Sequence, residues 1–104
     1  MSLECAYPNG RLTQSTTEEI PYIIDCAAWD TTPTSPVVDS VIDETSGTDV
    51  KATVMPSGTP SVTGSKIILP LLKSLTLGRN YRPEVRYTGS NSSRKEFHLR
   101  VRAV

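Results

Sequence analysis

The sequence predicts an all-β fold, an antiparallel sandwich of six or seven strands, and three observations lead there. Short apolar runs recur from residue 20 onward, separated by turn-forming residues at intervals of roughly 8–15. The two runs nearest the C-terminus alternate apolar and polar residues strictly, the period of a half-buried strand. No long segment carries a helical period, and no apolar run approaches the ~20 residues a membrane helix needs. The chain has 104 residues, 37% of them hydrophobic, with eight Pro and six Gly. That length suits one domain, and the punctuation suits many short strands joined by turns.

Residues 1–18 read as a flexible arm. Pro8-Asn9-Gly10 and the hydroxyl-rich stretch from Thr13 to Thr17 lack periodicity; a short edge strand fits near Arg11–Gln14. Residues 19–104 read as one sandwich domain. Its first run spans Ile20 to Trp29, with Ile20, Tyr22, Ile24, Cys26 and Ala28 alternating onto one face. Pro21 suits a strand start. Trp29 falls on the opposite face unless a bulge turns it inward. The second run, Val37–Asp43, alternates poorly, and Ser46-Gly47-Thr48 reads as a hairpin turn. The third, Asp49–Met55, places Val50, Ala52 and Val54 inward. The fourth, Ser65–Leu72, contains Pro70, which cannot donate a ladder hydrogen bond; the strand is therefore an edge or ends there. The best helical fragment is Leu69–Leu77, weakened by Pro70 and the β-branched residues before it. In the fifth run Tyr81, Pro83, Val85 and Tyr87 share one face. In the sixth Phe97, Leu99, Val101 and Ala103 do. These two pair as an antiparallel hairpin. The expected core is Ile24, Cys26, Trp29, Val41, Val50, Ala52, Val54, Ile67, Leu69, Leu75, Tyr81, Val85, Phe97, Leu99 and Val101.

The net charge is zero, yet residues 1–52 carry nine acids and two bases, and residues 53–104 carry nine bases and two acids. Two readings stand. The halves interleave in the fold and neutralise each other, or an acidic patch on one molecule meets a basic patch on the next and builds rings or filaments. The outward stripe of the last two strands holds Arg82, Arg86, Arg100 and Arg102, with Arg94 and Lys95 at the hairpin tip. Base-stacking readers interleave aromatics with cations. Here the aromatics face inward, which argues against nucleic-acid binding and for a protein-interaction face. Arg is enriched at such interfaces and Lys depleted.

Catalytic chemistry is sparse. The single histidine, His98, lies mid-strand among cations and reads as a solvated residue. One His and two Cys cannot close a zinc site without carboxylate help, and no Cys-x-x-Cys occurs. The acids around Gly47 lack the ligand spacing of an EF-hand. No glycine loop opens a helix to cradle phosphate. No catalytic residue, metal or cofactor is expected. Cys5 and Cys26 read as free thiols, because no signal peptide is visible at the N-terminus, and no membrane segment is expected.

The segment Leu75-Thr76-Leu77-Gly78-Arg79-Asn80-Tyr81 resembles the Leu-x-Pro-Gly-x-x-Tyr corner of fibronectin type III and other immunoglobulin-like sandwiches, with Leu77 where Pro is usual. The resemblance implies that Leu75, Gly78 and Tyr81 form a structural corner, with the Tyr hydroxyl tied to nearby backbone, and that Trp29 matches the core tryptophan of those sandwiches. The layout from Ile24 to Trp29, through Gly47-Thr48-Asp49-Val50 and the corner, to His98-Leu99-Arg100-Val101-Arg102 is similar to that of small bacteriophage and prophage tail or fibre-adaptor proteins. It implies a non-enzymatic virion component, located in the virion or the host cytoplasm, that contacts itself or other virion proteins. The alternative is an extracellular adhesion or carbohydrate-binding module, which carries the expectation of a Cys5–Cys26 disulfide and exposed aromatics.

Overall fold

A computed structural model of the chain describes residues 4–5, 12–27, 30–56, 58–89 and 92–104. Two sheets face each other across one core. The smaller has the order β1 (Glu4–Cys5), β3 (Ile23–Asp25), β7 (Lys66–Ile68), β6 (Ser61–Thr63). The larger runs β2 (Leu12–Gln14), β10 (Val101–Ala103), β8 (Asn80–Thr88), β4 (Thr34–Asp43), β5 (Thr48–Asp49), with β9 (Arg94–His98) also against β8. Pairing is antiparallel except at β1–β3 and β2–β10. Ile24 and Ile67 from the smaller sheet meet Val41, Val85, Leu99 and Val101 from the larger, all fully buried or nearly so. The fold is an all-β sandwich. Among the described residues no helix is long and apolar enough to cross a membrane.

The C-terminal hairpin shows why alternation was so clean. Along β8 every second residue from Tyr81 to Tyr87 is buried. Glu84 pairs with His98 and Val85 with Phe97, while Val101 pairs with Tyr81. One register therefore continues through both halves and sets Pro83 opposite Leu99. The Leu99 N–H donates to the Pro83 carbonyl at 3.0 Å, but Pro83 has no N–H to return. The ladder is interrupted at that point, which separates β9 from β10 without moving either out of line.

In β4 the poor alternation has a cause. Its pairing with β8 slips between Thr34 and Val37 and again between Val38 and Ser40. Each slip inserts a residue and resets which side faces inward; Ser35, at φ 52°, lies within the first. The Ser46–Thr48 turn forms as expected, with Gly47 at φ 73° and its N–H on the Asp43 carbonyl at 2.7 Å.

One expectation fails. The strand expected over Asp49–Met55 is two residues of β5 followed by a single helical turn, α1 (Lys51–Val54). Asp49 redirects the chain: its Oδ1 accepts the N–H of Lys51 at 3.0 Å and of Val41 at 3.2 Å, an Asx-type capture that competes with ladder bonding. Val54 and Met55 are buried, Val50 is half-buried and Ala52 is exposed. The Leu69–Leu77 fragment is not helical. The Leu69 N–H bonds the Tyr22 carbonyl, Leu72 bridges Ile20, and the Lys73 N–H bonds the Val54 carbonyl. Leu69, Leu72 and Leu75 are buried, so their spacing mimics a helical stripe although the chain is extended. β7 ends before Pro70 and lies between β3 and β6, so it is interior rather than an edge.

Of the remaining expected core, Phe97 is half-buried, its ring 6.0 Å from that of Tyr87, and Trp29 lies outside the described residues, as does Ala28 of the first run. Val38, Leu72, Tyr22, Tyr87 and Ala103 join the core. So does one polar side chain, Gln14, with no exposed surface. Its amide nitrogen donates to the carbonyls of Leu72 at 2.7 Å and Glu18 at 3.0 Å, and its Oε1 accepts the Tyr22 hydroxyl at 3.0 Å. These bonds fasten β2 to the body of the sandwich.

Candidate functional site

The outward face of the larger sheet carries the charged groups. Cross-strand neighbours share a face, so the register aligns Arg82, Glu84 and Arg86 of β8 with Glu96 and His98 of β9 on one side. Ser40 and Ile42 of β4 lie on the other. The acidic first half and the basic second half interleave here. Arg86 pairs with Asp39 at 3.0 Å, Arg82 with Glu44 at 3.2 Å, and Arg79 with Asp43 at 2.5 Å. The first two pairs are partly solvated and contribute little stability. Asp43 is buried. Burial alone would raise its pKa, but the Arg79 guanidinium and the Thr45 N–H outweigh it and hold the carboxyl below its ordinary value.

Among the described residues, Arg94, Arg100 and Arg102 are exposed and make no ion pair. They lie along the β9–β10 line and leave a cationic flank. Arg82 and Arg86, expected beside them as one interaction stripe, are instead engaged with carboxylates of β4 and its following turn.

At the centre of the face three ligand-type atoms converge. His98 Nε2 is 2.9 Å from Glu96 Oε1 and 3.4 Å from Glu84 Oε2. All three groups offer an atom within 4.8 Å of the others. Glu84 is the most enclosed. Its Oε1 accepts the Ser40 hydroxyl at 2.6 Å and its Oε2 accepts Arg82 Nε at 3.2 Å. The Ser40 bond leads in lowering its pKa; burial opposes, and the charges of His98 and Arg82 add to the lowering. The alternation that turns Phe97 and Leu99 inward turns Glu96 and His98 outward together, but nothing local in the sequence joins them to Glu84. The missing datum was the hairpin register, which the matching inward runs Tyr81–Tyr87 and Phe97–Ala103 constrain.

The corner residues come together. Thr76 donates its N–H to the Tyr81 hydroxyl oxygen at 2.8 Å. Leu75 is buried, and Gly78 adopts φ 82° with its N–H on the Ala103 carbonyl at 3.0 Å. That conformation strains any residue with a Cβ. Leu77, where Pro is usual in the resembling motif, is exposed. Cys26 is a free, buried thiol whose pKa burial pushes up to about 11; it stays protonated at neutral pH and is a poor nucleophile. Tyr22, Tyr81 and Tyr87 are buried, so none of them offers a stacking platform to a ligand.

Comparison with protein-family models, curated proteins and solved structures finds no match to this chain.

Proposed function

We propose that the chain is an immunoglobulin-like structural protein that works through protein–protein contacts, as a small component of a phage or prophage virion. The strand order supports the fold family. β1–β3–β7–β6 corresponds to the ABED sheet of such domains, and β4, β8 and β9–β10 correspond to C, F and G. The Tyr81 hydroxyl, at the start of the F-like strand, is tied to backbone five residues upstream, as in the tyrosine corner. The parallel β1–β3 pairing departs from that scheme.

One observation carries the interaction reading: the arginines outside the β4–β8 ion pairs, Arg94, Arg100 and Arg102, form an exposed flank on a rigid hairpin. Arginine is favoured at protein interfaces for its fork of donors and its modest hydration. The partner is an acidic protein surface, on a second copy or on a neighbouring tail or neck protein. The test is sedimentation velocity at low and high salt, alone and with purified tail and neck proteins, comparing wild type with Arg100→Glu/Arg102→Glu. The expected result is salt-sensitive association that the double reversal abolishes. A chain that stays monomeric and binds none of these proteins overturns the reading.

A further inference from the structure

We propose that Glu84, Glu96 and His98 form a binding site for a divalent transition-metal ion of the zinc class. The inference stands apart from the interaction reading, since it uses the middle of the sheet face and not its arginine flank.

The ligand types come first. One imidazole nitrogen and two carboxylate oxygens suit zinc, which binds His nitrogen and carboxylate oxygen at about 2.0–2.2 Å, with water filling a fourth position. Bonds of that length in a tetrahedron separate neighbouring ligand atoms by about 3.4 Å. His98 Nε2 already lies 2.9 and 3.4 Å from its two carboxylate oxygens, and the third separation is no more than 4.8 Å. A rotation of the exposed Glu96 side chain closes it. Calcium and magnesium fit poorly. Calcium takes six to eight oxygens and magnesium prefers an octahedral oxygen shell, whereas this site centres on nitrogen.

The backbone preassembles the donors. Glu84 and His98 are directly opposed across the β8–β9 ladder, and Glu96 follows on the same face two residues before His98. Ser40, from the third strand, orients Glu84 through the 2.6 Å bond to Oε1 and leaves Oε2 turned to His98. Outer hydrogen bonds of this kind fix ligand orientation. In the metal-free chain a single histidine nitrogen faces both carboxylates. An ion bound there satisfies the imidazole nitrogen and both oxygens at once, and two carboxylates balance its charge. Arg82 competes for Glu84 Oε2 at 3.2 Å, but its NH1 is also held by Glu44 at 3.2 Å. The guanidinium therefore keeps a carboxylate when the ion enters.

The test is calorimetric titration of the full chain with zinc chloride, paired with cobalt(II) absorption and the ring resonances of His98. The expected result is one ion whose binding shifts the His98 ring and gives the visible bands of low-coordinate cobalt. His98→Ala and Glu96→Gln each weaken it by at least ~10-fold, and Ser40→Ala weakens it less. Both ligands are exposed, so unchanged circular dichroism spectra and melting temperatures establish that the variants fold. Calcium at the same concentration leaves the His98 ring unmoved. Three results overturn the proposal: zinc affinity unchanged in His98→Ala, zinc binding that Cys5→Ser abolishes, or a calcium response equal to that of zinc.

Discussion

Gln14 offers the sharpest test of how the sandwich is closed. Its side chain is fully buried and makes three hydrogen bonds, two to backbone carbonyls and one from Tyr22. Gln14→Ala removes all three, each worth about 1 kcal/mol net, and opens a cavity whose cost resembles that of other large-to-small core changes, about 2–3 kcal/mol. Against this, the wild-type side chain loses up to about 2 kcal/mol of rotamer entropy on burial, and a polar cavity admits water. The net loss is about 3 kcal/mol, a large share of the stability of a domain this size. Gln14→Leu keeps most of the volume, loses the bonds and costs about 2 kcal/mol. Gln14→Glu is the diagnostic variant. It turns a carboxylate oxygen toward the Leu72 carbonyl, which the wild-type amide contacts at 2.7 Å. Burial, with only the Tyr22 hydroxyl left to donate, raises the folded-state pKa of that acid. Relative to wild type, its stability is then greatest below the unfolded-state value of about 4.3 and is lost as pH rises. The assay is urea unfolding at several pH values, followed by circular dichroism with the slope m fitted freely. Gln14→Ala within about 0.5 kcal/mol of wild type, or Gln14→Glu losing stability relative to wild type as pH falls, would refute the role given to this latch.

Three further outcomes are expected. Tyr81→Phe deletes the acceptor of the Thr76 N–H at 2.8 Å and should cost about 1 kcal/mol, read as a melting temperature lower by about 4–8 °C; no change would deny the corner a stabilising part. Asp25, Asp43 and Glu84 all have carboxyls lowered from ordinary values of 3.8, 3.8 and 4.5. For Asp25 the Ala27 N–H leads and the Ser65 hydroxyl follows. Depressed carboxyls stabilise the fold above their unfolded-state values and lose that contribution as pH falls through the folded ones, so wild-type melting temperature should drop below about pH 4.5, and a flat profile there would contradict the assigned bonds. Cys26, with its thiol raised to about 11, should resist a thiol reagent at pH near 8 in the native chain and react on unfolding; site-resolved mass spectrometry reads which cysteine is labelled.

The sequence by itself determined the fold class, the C-terminal hairpin and the tyrosine corner. In each case the information is local: strict alternation from Tyr81 to Tyr87 admits one buried face, and Gly78 supplies a backbone conformation other residues resist. Tertiary structure decided what depends on partners distant in the chain. Whether Asp49 bonded its own backbone or continued a strand turned on Val41 lying within reach. The β4 bulges scrambled an alternation that local reading requires. The spacing of Leu69, Leu72 and Leu75 fits a helix and an extended crossing alike until Tyr22, Ile20 and Val54 supply the hydrogen bonds. Gln14 looked like part of a loose arm because its three partners lie in Glu18, Tyr22 and Leu72. The same holds for the charges. Side chains of β4 and β8 meet only because those strands are neighbours, and that adjacency turned an apparent acidic half and basic half into mutual pairs. It left three arginines exposed, and it brought one histidine between two carboxylates.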